Sequence, residues 1–550
     1  MRIVIFSHSS SVENIGGAEH ALLDLIDRWL LQNHNLEIMV ISRGPVGKLQ
    51  PQLDKRGIAW ENLNFEPWIH GIPQSQPLSL FRMFEGNSSA VLKIIEILHN
   101  LKPDLVFTNT TVVPWAALAA WELQIPHVWW LHEYIPPERF ELGINHSYQD
   151  ISRLSLVVLT SSQSIADYIS QWVVPEKLVV CYPLPRLETI QQRIQDSLVS
   201  NQILKMETKP QLTAVLVGQF SEAKGQWLVL EAIKRLKSEQ ILINLTLIGF
   251  VSAHDRLNLS NYLDKHGLSG QVRITGEIEE PFDLITQSDL GIVASPVEGF
   301  GRAATEFMSA GVAVIGTNTG ATSELIIDGV TGTLFTPGSV EELTAALKKY
   351  IQVPELVQRH GDAAKTHAKN TIFATNTSEV ALHQILERFG DAQIRSEERP
   401  HLVDALDYVA EHLNEYVESM THEFVGLDNS QYRFGKWIFD PLSGIRDVFS
   451  TKKRAISNTS EEQLVGLQRQ ENLLKSAPTY EAIARSQESH LKTSHSSIVP
   501  NLLRLSQEDE IILEARRVND AILTSREYKA GRLVFGPFRK VRRAFKHWSR

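Results

Sequence analysis

The sequence predicts an α/β protein made of two parallel-sheet domains followed by a helical extension. Three observations carry this. Short apolar runs of strand length alternate with segments of helical periodicity from Met1 to about Gly390, and such alternation implies parallel strands covered on both faces. Glycine-bearing loops recur where an apolar run gives way to a helix, at Gly16-Gly17, at Gly218 and at Gly299 to Gly301. From about Asp391 the apolar runs stop and charged helical segments take their place.

The bulk numbers agree with an ordinary globular chain. At 550 residues it predicts roughly three or four domains, and 43% hydrophobic content supplies a core. A net charge of −10 gives no nucleic-acid signature. The single cysteine, Cys181, excludes an internal disulfide framework and fits a reducing cytosol. The apolar run after Met1 is too brief for a signal segment and reads as a first strand. No run of about 18 apolar residues occurs, so contact with a bilayer is expected to be peripheral.

Taken in order, the first strand feeds the Gly16-Gly17 turn and a helix carrying Leu22, Leu23, Ile26 and Leu30. Strands are expected at 36–41, 58–63, 104–108, 127–131, 156–160 and 178–182, with helices near 48–56, 90–99, 114–123 and 164–172. The Pro-, Ser- and Gln-rich segment 68–83 reads as a surface loop. His132 stands at a strand's carboxyl end. Residues 1–185 form the first domain, the polar stretch 186–210 reads as a hinge, and 211–390 form the second domain across a cleft.

The second domain opens with the strand Thr213–Val217, then Gly218, Gln219, Lys224 and Gly225 before a helix. Further strands at 243–248 and 272–275 precede Ile278, and the apolar run 290–294 leads into Ser295-Pro-Val-Glu298-Gly-Phe300-Gly301-Arg302-Ala-Ala-Thr-Glu306. This is a strand-to-helix connection, and ligands of open α/β sheets sit at that edge, where glycines leave backbone N–H groups free for an anion. Glu298 lies in the loop and Glu306 about one turn beyond Arg302, which spaces the two carboxylates across a small polar ligand.

That 17-residue stretch, with seven residues between Glu298 and Glu306 and ending at Gly311, resembles the donor-site motif of the retaining GT-B glycosyltransferases of family 4, the glycosyl transferases group 1. The resemblance runs from Met1 to about Gly390. It implies a GT-B fold, two Rossmann-like domains with a cleft between them. It also implies a retaining transfer of sugar from a nucleotide-sugar donor to a glycan or lipid-linked acceptor in bacterial cell-surface polysaccharide synthesis. On that resemblance Glu298, His132 and Lys224 are catalytic, with Glu298 on the donor sugar's hydroxyls. Gly16, Gly17, Gly218, Gln219, Lys224, Ile278, Phe300, Gly301, Arg302 and Glu306 surround the donor nucleotide, Glu306 on its ribose. Gln219 stands where the family has arginine, and a neutral amide cannot neutralise a diphosphate. Arg302 is expected to compensate. No Asp-X-Asp triplet occurs, so neither a metal nor another cofactor is expected. A sugar-nucleotide epimerase on the same fold, or a non-catalytic sugar-nucleotide sensor or scaffold, are the alternatives.

The extension 391–550 carries an apolar stripe at Leu402, Leu406, Val409, Leu413, Val417 and Met420, as an amphipathic helix or a self-associating coiled coil requires. It also repeats itself: Tyr432-Arg-Phe-Gly-Lys to Phe449 aligns without gaps to Tyr528-Lys-Ala-Gly-Arg to Phe545, with a polar linker between. Such a Tyr-x-x-Gly-[Lys/Arg] module resembles tails found on bacterial polysaccharide glycosyltransferases. Arg526 to Arg550 holds nine Lys or Arg against one acid, interleaved with aromatic residues, which suits an anionic membrane surface. The expected location is cytoplasmic, at the inner face of the membrane.

Overall fold

This computed structural model describes residues 1–11, 15–32, 35–69, 83–84, 87–135, 139–140, 142–203, 211–278, 280–390, 399–411, 498–502 and 505–506. The chain divides into two compact units: Met1–Gln76 with Ile97–Leu402, and Pro77–Glu96 with Val403–Arg550. The first unit holds both sheets.

The first sheet has seven parallel strands, β1 (Arg2–Ser7), β2 (Glu37–Arg43), β3 (Ala59–Leu63), β4 (Leu105–Thr108), β5 (His127–Leu131), β6 (Val157–Thr160) and β7 (Leu178–Val180), in the order β3-β2-β1-β4-β5-β6-β7. β1 is an interior strand, with Phe6 paired to Ile41 on one side and Thr108 on the other. Strands of the middle of the sheet are buried on both faces, which is why they read as unbroken apolar runs. The helix Gly17–Gln32 packs on this sheet through Leu22, Ile26 and Trp29, and Trp29 meets Phe107 edge to face at 5.6 Å.

The second sheet has six parallel strands, β8 (Thr213–Val217), β9 (Asn244–Ile248), β10 (Val272–Gly276), β11 (Leu290–Val293), β12 (Ala313–Thr317) and β13 (Gly332–Phe335), ordered β10-β9-β8-β11-β12-β13. The helices Gln226–Ser238 and Val340–Gln352 cover one face, through Val229, Ile233, Leu343 and Leu347. Ala304, Phe307 and Met308 of the helix Arg302–Ala310 cover the other.

The structure revises three sequence expectations. Residues read as a hinge form the helix Leu187–Ile203, whose Ile190 and Ile194 lie in the second sheet's core beside Phe282, while the Ser197 hydroxyl donates to the Phe282 carbonyl at 3.0 Å. Its apolar stripe is narrow and its other faces are Gln, Asp and Ser, so composition resembled a linker. The helix Thr377–Gly390, assigned by position to the second domain, returns to the first core through Ala381, Leu382 and Ile385, and Trp29 donates to the Ser378 carbonyl at 3.3 Å. Burying Leu382 and Ile385 there is worth roughly 1.5–3 kcal/mol each. Trp68, placed in a surface loop, is fully buried and stacks on Trp129 at 5.8 Å.

The second unit is described in part. Its helical stripe begins in the helix His401–Glu411, where Leu406 and Val409 are buried, as is the adjoining Leu402 of the first unit. These three apolar positions are covered within the chain. Within the second unit Asn501 donates to Asp407 at 2.8 Å, and Ile498, Val499, Leu502 and Leu505 are also buried. The remainder of the stripe, the repeats 432–449 and 528–545 and the basic segment 526–550 lie outside the described residues.

Candidate active site

The strand orders locate the site. Chain direction along the sheet reverses between β1 and β4 in the first half and between β8 and β11 in the second, and loops leaving adjacent strands at such a switch point diverge to leave a crevice. β1 leads to Gly16-Gly17 at the start of its helix, β4 to Asn109 and β5 to His132. β8 leads to Gly218, Gln219 and Lys224, and β11 to the loop from Ser295 to Gly301. These residues thus lie on loops that are far apart in sequence and leave the carboxyl ends of their strands.

Glu298 and Lys224 form the centre of the second half's edge. Lys224 Nζ donates to Glu298 Oε1 at 2.6 Å, and Ser295 Oγ donates to the same oxygen at 2.5 Å. Thr317 in turn donates to the Ser295 carbonyl at 2.8 Å, which fixes the loop to β12. Glu298 is mostly shielded, with 13% of its side chain exposed against 38% for Lys224. One carboxylate oxygen is thereby committed and the other is left for a ligand hydroxyl. Gly218 and Gln219 flank the pair, and the Gln219 side chain is exposed with no described partner.

Two glycines are dictated by geometry. Gly301 caps the helix Arg302–Ala310 in the left-handed region, at φ 82° and ψ 52°, which side chains rarely adopt. Gly299 lies against the other half: a Cβ there would stand 1.9 Å from the His132 carbonyl oxygen. The loop that carries Glu298 thus touches the backbone of the strand end that carries His132.

His132 is held on both sides. Its Nε2 is 2.8 Å from Asn109 Oδ1, its Nδ1 2.7 Å from Ser161 Oγ, and its ring lies 4.4 Å from that of Trp130. Desolvation lowers its pKa to about 4, opposed by Glu133 and reinforced by His8 and Arg302, so the ring is a neutral imidazole at physiological pH. Both ring nitrogens are thus engaged by protein, which was not legible from a lone histidine in the sequence.

Arg302 does not stand ready to replace the missing family arginine. Its Nη1 donates to Asp24 at 2.8 Å and to the Pro183 carbonyl at 2.7 Å, so the guanidinium bridges the two halves. Phe300 also differs from expectation: its side chain is buried in the second core and packs on Tyr182 at 5.2 Å, so it supports the loop instead of facing a nucleotide. Ile278 lies against the same core, half-buried, beyond the end of β10. Glu306 is half-buried, and no described residue hydrogen bonds its carboxylate. Desolvation raises its pKa above the usual carboxylate range, with Arg302 and Arg193 opposing the rise and Asp24 and Glu280 adding to it. A carboxylate about one turn inside the helix Arg302–Ala310, with no hydrogen-bond partner among the described residues, has the chemistry to accept from a vicinal diol.

Sequence reasoning missed three groups. Arg193, on the helix once read as a hinge, forks onto Glu280 at 3.0 to 3.2 Å close to Glu306. Glu324, in the short helix Gly320–Leu325 after β12, accepts from the Gln163 and Ser164 backbone N–H groups at 3.1 Å each and from the Tyr182 hydroxyl at 2.5 Å. It joins the halves by capping a helix of the first half, a role for which the only signal was an acid between two apolar segments. Asn109 could have been singled out as the polar residue that directly follows the buried strand β4.

Known proteins similar to this chain include glycosyltransferases. Residues 15–184 match the family described as Glycosyltransferase Family 4, and residues 201–367 that described as Glycosyl transferases group 1. Glycogen synthase of Mycobacterium tuberculosis is 28% identical over 172 residues, 30% of this chain and 41% of that protein. The capsular polysaccharide biosynthesis glycosyltransferase CapH of Staphylococcus aureus is 23% identical over 325 residues, 58% of this chain and 82% of the relative. Among solved structures, Anabaena Alr3699/HepE, crystallised with UDP and with UDP-glucose, superposes with a TM-score of 0.56 at 20% identity, covering 70% of this chain and 100% of that one. The fold is GT-B. Together the family matches and the fold support a GT-B glycosyltransferase.

Proposed function

We propose that the chain is a retaining, metal-independent glycosyltransferase that moves a sugar from a nucleotide-sugar donor to a glycan or lipid-linked acceptor of the bacterial cell surface. The observation that carries this reading is the meeting of Lys224, Glu298 and Gly299 from one half with His132 from the other. Departure of a nucleoside diphosphate needs positive charge and oriented N–H donors, while the anomeric carbon becomes oxocarbenium-like. Preorganised charge and dipoles supply such stabilisation without reorganisation in the transition state. Lys224 and the backbone at Gly301 serve the diphosphate. Glu298, oriented by Ser295 and Lys224, holds the donor sugar, and Glu306 accepts from the ribose. The retained configuration rests on the resemblance of the Glu298 to Glu306 spacing to family-4 enzymes, and metal independence on the lack of an Asp-X-Asp triplet.

Purified full-length protein incubated with a panel of nucleotide sugars, with and without membrane extract, tests the reading. Transfer predicts nucleoside diphosphate release that depends on the extract. An epimerase would interconvert donors without it, and a sensor would bind without turnover.

Gln219→Arg restores the charge at a side chain that has room and no described partner. A charge-assisted hydrogen bond contributes about 1.5–3 kcal/mol, so nucleoside diphosphate affinity should rise about 10- to 100-fold by calorimetry. Unchanged affinity would place Gln219 away from the diphosphate.

We also propose that residues 526–550 hold the enzyme at an anionic cytoplasmic membrane face. Among the described residues no helix is long and apolar enough to cross a membrane. Full-length protein should sediment with anionic vesicles at low salt and be released at high salt, each cation near the surface contributing about 1 kcal/mol. Lack of sedimentation at low salt refutes the tail assignment.

A further inference from the structure

We propose that Asn109 is a positioning residue that fixes the orientation and the proton placement of the His132 ring and ties that ring to the turn at Gly16-Gly17. The inference rests on reading this edge as the sugar-transfer centre, and it concerns a residue one position past β4 that is fully buried.

Four contacts determine the arrangement. The Asn109 backbone N–H donates to the Phe6 carbonyl at 2.8 Å, pinning it beside β1. Its side-chain Nδ2 donates to the Ala18 carbonyl at 3.0 Å, next to the glycine pair. A carbonyl only accepts, so this bond settles which end of the amide is which, and Oδ1 is the end that faces His132 Nε2 at 2.8 Å. Nε2 therefore carries the ring proton; in a neutral ring Nδ1 is then an acceptor, so the single proton of the Ser161 hydroxyl turns to Nδ1 at 2.7 Å in preference to the Leu131 carbonyl at 3.0 Å. Reversing the amide would break both of its bonds at once.

The choice of asparagine over aspartate has a chemical consequence. A neutral Oδ1 accepts the Nε2 proton without favouring an imidazolium, and burial keeps the ring uncharged. The charged and titratable groups acting on it are Glu133, His8 and Arg302, one of which favours protonation and two of which oppose it. Positive charge at the site therefore stays on Lys224, where a diphosphate would meet it, while His132 presents a fixed neutral wall. The same amide makes the position of that wall follow the start of the helix Gly17–Gln32.

The test uses full-length protein with 15N-labelled histidine, the His132 resonances being assigned by their loss in His132→Gln. Wild type should show a neutral, Nε2-protonated ring from pH 5.5 to 8. Asn109→Asp should move the His132 midpoint upward by about 1 to 3 units, because a carboxylate stabilises the protonated ring. Ser161→Ala, which removes only the other partner, should leave the proton on Nε2. An Asn109→Asp ring that titrates as wild type, or a Ser161→Ala ring that shifts its proton to Nδ1, overturns the proposal. If Asn109→Asp fails to fold, the Ser161→Ala spectrum decides. With an active donor, Asn109→Asp should also give kcat a pH dependence at the new midpoint that wild type lacks. Failure to find any donor defeats the transfer reading, and the spectra still judge Asn109.

Discussion

Glu298→Gln should lower kcat for sugar transfer about 10²–10³-fold, the range seen when one preorganised electrostatic contact is removed from an active site. The amide has nearly the shape of the carboxylate and still accepts from Ser295, so the loop should keep its place. What is lost is the charge paired with Lys224, which on the proposed function also serves the donor sugar's hydroxyls. Lys224 is released by the same change. Nucleoside diphosphate binding should therefore hold or tighten while turnover falls, and opposite movement of the two quantities is what separates a catalytic carboxylate from a structural ion pair. Steady-state kinetics beside calorimetry with the free nucleotide gives both. Parallel loss of binding and turnover would mean that the pair only holds the loop, and full transfer activity would mean that the Glu298 charge takes no part in the reaction.

Gly299→Ala should be nearly as damaging to transfer, for a steric reason. The new methyl would lie 1.9 Å from the His132 carbonyl, and the obstacle is backbone at the end of β5 instead of the tip of a flexible side chain. Overpacking inside a core costs about 1–3 kcal/mol, but here the two halves can relieve it by moving apart. Transfer should fall by about 10²-fold or more, with circular dichroism and thermal midpoint close to wild type. Gly270→Ala is a suitable control, since nothing lies within 4 Å of a methyl there and its φ is ordinary. An active Gly299→Ala enzyme would show that the halves need not meet at this point during the reaction.

Fold legibility followed how strongly each segment is patterned. Buried parallel strands announce themselves as apolar runs, so the expected bounds of β5 and β8 match to the residue and most others lie within one or two. The helix Leu187–Ile203 was lost because only a narrow stripe, with Ile190 and Ile194, carries its packing and the rest reads as polar linker. The return of Thr377–Gly390 to the first core is a long-range event with no local signature. At the site, the motif from Ser295 to Glu306 identified the acids, and the structure supplied their partners. A lone sequence cannot show that Arg302 is already engaged by Asp24, nor that Phe300 faces inward, because both depend on which residues the other half brings near.

The helix Thr377–Gly390 also bears on biosynthesis. Ala381, Leu382 and Ile385 close an apolar notch on a sheet whose last strand ends at Val180. A ribosome making about 5–20 residues per second needs roughly 10–40 s to cover that interval. Throughout it the nascent first half carries uncovered aliphatic surface, a window in which a holding chaperone has something to grip. Splitting the chain between the two sheets would make that temporary gap permanent.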